Sequence, residues 1–238
     1  MGLLDLPAPL FGWIDGQLSH ILPSFLVVLI WASVASIASM ELYRLLSPQA
    51  RIAELRVALK GAQERLAEFD GPFEEAGGLI RNMLGIALKR VFLVLPSTLI
   101  ASLPLLTLIL WLDSSYARTL PPEGQSVTVR ASGNYGGEWV EDRPAPRAIV
   151  KDANGATIAD VPVKAPVPVV HKKQWWNYII GNPIGYLADE APVDEIEIDL
   201  PKREIFTAGP SWARGWEIIF FPALILMSFA AKSIRRIE

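Results

Sequence analysis

The sequence predicts an α-helical membrane protein: three transmembrane helices, a cytoplasmic coiled-coil hairpin between the first two, and a small β-rich extracytoplasmic domain inserted before the third. Three observations lead there. Apolar residues make up 51% of the 238-residue chain, with a mean hydropathy of +0.32, an odd sum for a water-soluble protein of this size. They are clumped at 21–46, 86–112 and 216–231, with nearly all the charge between the clumps. The intervening segments keep regular periodicities of their own, helical in one and strand-like in the other, which excludes a disordered chain. The absence of cysteine excludes disulfides, iron–sulfur clusters and thiolate zinc sites. A net charge of −3 provides no basic footprint for nucleic acid.

Residues 1–20 carry Leu3, Leu4, Leu6, Leu10, Phe11, Trp13, Ile14 and Leu18 with Asp5 and Asp15, a pattern of an interfacial amphipathic helix. Pro7 and Pro9 confine it to about 10–20, since proline favours a helix start. The segment has no Lys or Arg, unlike a secretory signal peptide.

A bilayer core requires about 20 apolar residues in helix. The first span, 21–46, stays uncharged until Glu41, and the second, 86–112, is uncharged from Val91 onward. The third, 214–232, is shorter, as a buried core helix would be. Trp212 and Trp216 at one end and Lys232, Arg235 and Arg236 at the other read as interfacial anchors and favour a crossing. Orientation follows from basic residues beside the spans. Arg44, Arg51, Arg56, Lys60, Arg65, Arg81, Lys89 and Arg90 place 47–85 in the cytoplasm, and the basic tail 233–238 joins it there. Three crossings then put the N-terminus and 113–213 outside. A bacterial or archaeal inner membrane is the expected location.

In the hairpin, Ile52, Leu55, Leu59, Ala62, Leu66 and Phe69 recur in steps of three and four, the a/d seam of a coiled coil. Asp70-Gly71-Pro72 ends that helix. A second, weaker one over Phe73–Leu84 leads back to the membrane, loosened by Gly77-Gly78. This is either an amphipathic connector or a prong that touches a ribosome, a nascent chain or a partner subunit.

Beyond Leu112 the pattern turns to short strands. Ala148–Val150 and Thr157–Val161 flank Asn154-Gly155, a type I′ hairpin signal. Val127 and Val129, Ile196–Leu200 and an edge strand at Val167–Val170 extend the set, as in a small β-sandwich or similar domain. Trp175-Trp176 beside His171-Lys172-Lys173 reads as packing or a seat on lipid headgroups before it reads as a binding site. The chain has no G-x-S-x-G, H-E-x-x-H or P-loop. His20 and His171 lie in different segments, so no His-rich metal site is expected; Asp189-Glu190 or Asp194-Glu195 could serve as acid and base but read as solvated residues flanking a strand, and no catalytic residue or cofactor is expected.

The spans contain polar residues that lipid does not require. Ser33, Ser36 and Ser39 repeat on the first span, and Ser97, Thr98, Ser102 and Thr107 interrupt the second with Pro96 and Pro104. They serve close helix packing or line a shallow, partly hydrated recess. Glu41 is either the floor of that recess or a partner for Arg44, three residues on.

The heptad Ile52–Phe69, the run Asn82-Met83-Leu84-Gly85-Ile86-Ala87-Leu88-Lys89-Arg90 leading to Leu95-Pro96, and the ending from Trp212 and Trp216 to Ser228-Phe229-Ala230-Ala231-Lys232 together resemble the YidC/Oxa superfamily of membrane-protein insertases. The compact three-span branch, archaeal short homologues and the insertase-like subunit of the endoplasmic-reticulum membrane complex, is closest in layout. About 120 residues are covered. The resemblance implies a non-enzymatic protein that eases insertion of transmembrane segments through a polar intramembrane recess. Its partners would be the bilayer, membrane-protein clients or partner subunits, and a ribosome at the hairpin. The alternative is a non-catalytic scaffold or assembly subunit of a membrane complex. The chain departs from the family in lacking a basic residue between Val91 and Leu112 and in carrying the strand-rich insertion.

Overall fold

A computed structural model describes residues 2–133 and 135–235. Five α-helices and six strands follow one another as α1 (Ala8–Ser19), α2 (Ser24–Leu46), α3 (Gln49–Ala67), α4 (Phe73–Tyr116), β1 (Val129–Ala131), β2 (Gly136–Val140), β3 (Arg147–Lys151), β4 (Thr157–Pro162), β5 (Val169–His171), β6 (Glu195–Ile198) and α5 (Glu217–Arg235). Three of these helices, α2, α4 and α5, are long and apolar enough to cross a membrane. The chain divides into two compact units, Met1–Leu29 with Leu106–Phe221, and Ile30–Leu105 with Pro222–Glu238. Arg236, expected as an anchor, lies outside the described residues.

In the first unit, Pro9 sits in the opening turn of α1, where its missing N–H costs nothing. Leu4 N–H donates to the Ile179 carbonyl at 2.9 Å, and Asp5 Oδ2 accepts the N–H groups of Gly2 and Gly181, each at 2.8 Å. These bonds tie the N-terminal segment to the 175–181 loop. Tyr116, fully buried, donates its hydroxyl to Asp15 Oδ1 at 2.7 Å, and Phe11 meets Trp111 edge-on.

The strands form one antiparallel sheet in the order β4-β3-β2-β1-β6-β5, rather than the two facing sheets of a sandwich. Alternation explains the single layer. In β3 and β6 every second residue is buried, so each strand shelters one face. Val150, Val163, Val170, Ile196, Ile198 and Leu200 form the centre of that core. Loop residues Leu187 and Val193 complete it. The stretch between β5 and β6, where a second layer would need strands, holds a short 3-10 turn, Trp175–Tyr178, and loops.

Two details of the sheet differ from expectation. Asn154-Gly155 does make the β3–β4 hairpin, but not through a two-residue turn. Gly155 N–H donates to the Asp152 carbonyl at 3.1 Å, and Asp152 N–H to the Ala156 carbonyl at 2.9 Å. Gly155 has φ +82°. This is a three-residue loop, a turn followed by a left-handed glycine. Asp152 Oδ1 selects it by accepting the N–H groups of Asn154 and Ala156. The second is β2, which opens on Gly136-Gly137 and has no counterpart among the strands expected from the sequence. A Cβ on Gly137 would lie 2.2 Å from the Val129 carbonyl oxygen. Glycine is there because the neighbouring strand's backbone passes too close for a side chain.

In the second unit, α3 begins after Pro48, whose carbonyl accepts the Ile52 N–H at 3.1 Å. It ends before Gly71-Pro72. The heptad positions are all sheltered: Ile52 and Ala62 are buried, and Leu55, Leu59, Leu66 and Phe69 are half-buried. The charged faces are exposed. After Pro72 the chain forms a single helix of 44 residues, about 66 Å at 1.5 Å per residue. The expected weak helix over 73–84 is its first part, unbroken by Gly77-Gly78. Ala76, Leu79, Ile80 and Met83 form a sheltered stripe along it, with the same three-and-four spacing as the α3 seam.

Candidate functional site

Apart from Thr107, the polar residues singled out on the spans lie in the second unit, and most of them fall into three groups. The first group joins helices. Ser36 is buried, and its hydroxyl meets that of Ser228 on α5 at 2.9 Å. Ser97, also buried, donates its hydroxyl to the Leu46 carbonyl at 3.0 Å. Leu46 is the last residue of α2, and the carbonyls of a helix's last turn have no partner within the helix. Ser97 therefore closes the end of α2 and sets the register of α4 beside it.

The second group is ionic. Glu41 accepts from Arg44 Nε at 2.9 Å, as the three-residue spacing predicts, and pairs with Arg235 Nε at 2.7 Å. One carboxylate thus holds two guanidinium groups from α2 and α5. With its side chain 26% exposed, Glu41 lies between the solvated and the desolvated regime, where a second cation adds to the local pair.

The third group turns outward on α4. Thr98 is exposed and Ser102 half-buried, and both bond within their own helix, Thr98 to the Val94 carbonyl at 3.1 Å and Ser102 to the Leu99 carbonyl at 2.8 Å. Pro96 and Pro104 lie inside α4. Having no N–H, they remove the donors that the carbonyls of Phe92 and Ile100 would otherwise meet. Phe92, Leu95, Leu99, Ile100 and Leu103 are exposed around them. An apolar surface thereby surrounds the two positions at which the helix lacks an N–H donor.

Two further serines were expected in the recess. Ser33 is half-buried. The Ser39 hydroxyl is buried without a hydrogen-bond partner among the described residues. An unpaired buried hydroxyl costs about 1–3 kcal/mol, so position 39 is the least satisfied polar site on α2.

Sequence reasoning did not find Ser228 or Arg235 as partners. They lie nearly two hundred residues from Ser36 and Glu41, and no local spacing connects them. Ser228 does share with Ser36 the signal of a hydroxyl in an apolar run.

No family model, curated protein or solved structure matches the chain.

Proposed function

We propose that the chain is an integral membrane protein with three crossings that acts on other transmembrane segments, as an insertase-like or biogenesis factor. In this reading α2, α4 and α5 cross the bilayer, 47–85 faces the cytoplasm with its seam packed as a coiled coil, and 113–213 lies outside. The reading takes its support from stretch 96–104 of α4. Little of the apolar run of α4 is buried by the protein itself, and Pro96, Thr98 and Pro104 are exposed on it. A backbone carbonyl without a donor is costly in hydrocarbon, and a polar flank crossing a dry bilayer costs several kcal/mol per charge or unpaired group. A helix that is apolar outside and lacks two backbone donors would provide an incoming segment with lipid-like contact and polar relief at once. No covalent chemistry or nucleotide is needed.

A second reading, a fixed scaffold subunit of a membrane complex, is favoured by the bonds of Ser36 and Ser97. They spend within the protein two hydroxyls that a hydrated recess would offer to a client.

Site-directed photocrosslinking from position 98 separates the two. With a photoreactive residue in place of Thr98 and newly made proteins pulse-labelled, a biogenesis factor gives transient adducts with many apolar chains that disappear during the chase. One adduct of constant intensity, with a single partner, assigns the scaffold role instead.

A further inference from the structure

The first unit contains a cleft of about 1180 Å³, larger than the roughly 300–1,000 Å³ of ordinary small-molecule sites. Its lining changes character from one side to the other. Thr107, Leu110 and Trp111, from the apolar run of α4, form one part, and Trp176, Ile180 and Trp212 add apolar surface. Trp212 is 75% exposed. The other part is charged and lies where α4 ends and α5 begins, the level of the lipid headgroups in a three-span protein.

Most of the charges there are already engaged. Asp5 is held by two backbone N–H groups, Glu204 pairs with Arg214 at 3.1 Å, and the Arg203 guanidinium lies 4.1 Å from the Tyr116 ring centre. Further charges of both signs line the cleft. Arg118 and Lys202 are directly opposed in an antiparallel bridge, so their side chains share a face, an arrangement that is unfavourable for like charges on their own. Arg118 reaches the Leu200 carbonyl at 2.7 Å. Lys202 and the nearby Lys164 make no ion pair among the described residues. Opposite in sign, Asp113 and Glu217 also line the cleft, and the charges acting on Asp113 come from Glu217 and Arg118. A like-charge cationic pair and a like-charge anionic pair thus face one space that also carries the apolar surface of α4, Trp176 and Trp212.

We propose that this cleft binds a phospholipid with a zwitterionic, amine-bearing headgroup, its phosphate at Arg118 and Lys202, its primary ammonium at Asp113 and Glu217, and its chains along α4. A purely anionic headgroup would satisfy the cations and leave the carboxylates repelling it. A free phosphate would leave the aromatic and aliphatic wall unused. Trp176 and Trp212 suit the position, since indole rings favour the headgroup level. The inference rests on the three-crossing reading but not on client handling.

The test uses the purified full-length protein in nanodiscs containing equal amounts of phosphatidylethanolamine, phosphatidylglycerol and phosphatidylcholine with the same acyl chains. Native mass spectrometry reads which lipid is retained. Phosphatidylethanolamine is expected to dominate. Lys202→Gln should weaken its retention about fivefold, on the scale of one lysine near a phosphate, and Asp113→Asn should shift preference to phosphatidylglycerol. Lys164→Gln, at an exposed loop position, gives a second cationic variant should Lys202→Gln fail to fold. Equal retention of the three lipids, or unchanged selectivity in folded variants, overturns the proposal. So does displacement by soluble phosphoethanolamine at the concentration at which the lipid itself competes, because the site would then take the headgroup alone. Loss of lipid preference while the position 98 adducts persist refutes this inference and leaves the proposed function standing.

Discussion

The bond between Ser36 and Ser228 offers a direct measure of whether the helices meet dry or across water. Replacing either residue by alanine removes a hydroxyl and little volume, so packing changes least. At 2.9 Å with Ser36 buried, the pair should behave as an interhelical bond in a low-dielectric interior. Such bonds in membranes average about 0.6 kcal/mol and reach about 1.7, far below the vacuum value, because the separated helices find other partners. The expected coupling energy in a double-mutant cycle is therefore about 0.6 kcal/mol, nearly threefold in an equilibrium constant. Each single variant should cost slightly more, since it strands the remaining hydroxyl. The assay is reversible unfolding of wild type, Ser36→Ala, Ser228→Ala and the double variant in bicelles, with the cycle closed at a common denaturant concentration. A coupling of zero would mean that water serves each hydroxyl equally well. The packing role of Ser36 would then be refuted, and the recess would extend to this depth.

Three other perturbations test the fold around the sites. Tyr116→Phe removes a buried hydroxyl bonded to a carboxylate at 2.7 Å; a loss of about 1.5–3 kcal/mol should appear as faster hydrogen exchange in α1. Gly137→Ala places a methyl group 2.2 Å from the Val129 carbonyl oxygen, and the resulting strand displacement should lower stability by about 1–3 kcal/mol, read as a lower melting temperature and earlier proteolysis within 129–151. Ile52→Ala, at a position only 1% exposed, should destabilise by about 2–5 kcal/mol, whereas Val57→Ala, 70% exposed on the same helix, should leave chemical denaturation unchanged within about 0.5 kcal/mol.

What the sequence reveals here depends on how local the cause is. The three apolar helices are legible because each is a continuous run, the first two long enough by themselves for the bilayer and the third marked by its flanking anchors. The α3 seam is legible because its period is written in adjacent turns, and every residue the period selects is sheltered. Strand β2 was hidden by Gly136-Gly137: the glycines look like a break, but they answer to the backbone of Val129, in another strand. The β3–β4 loop was half legible, since Asn154-Gly155 marks the place but the Asp152 side chain decides the turn. Glu41 follows the same rule, with Arg44 within reach of a helical-spacing argument and Arg235 beyond it. The cleft was the least visible feature, because it draws on the N-terminal segment, the end of α4, the loops around β5 and the approach to α5. Lys202 means little until its opposition to Arg118 is seen.

The central claim is that three crossings put the α3–α4 hairpin and the strand-rich domain on opposite sides of one membrane. The chain has no native cysteine, so single substitutions report cleanly. Val57→Cys lies on the exposed face of α3 and Thr157→Cys on the exposed start of β4. In intact cells, a membrane-impermeant maleimide should label position 157 and leave position 57 untouched until the membrane is permeabilised. Labelling of both positions before permeabilisation, or of neither, would contradict the account.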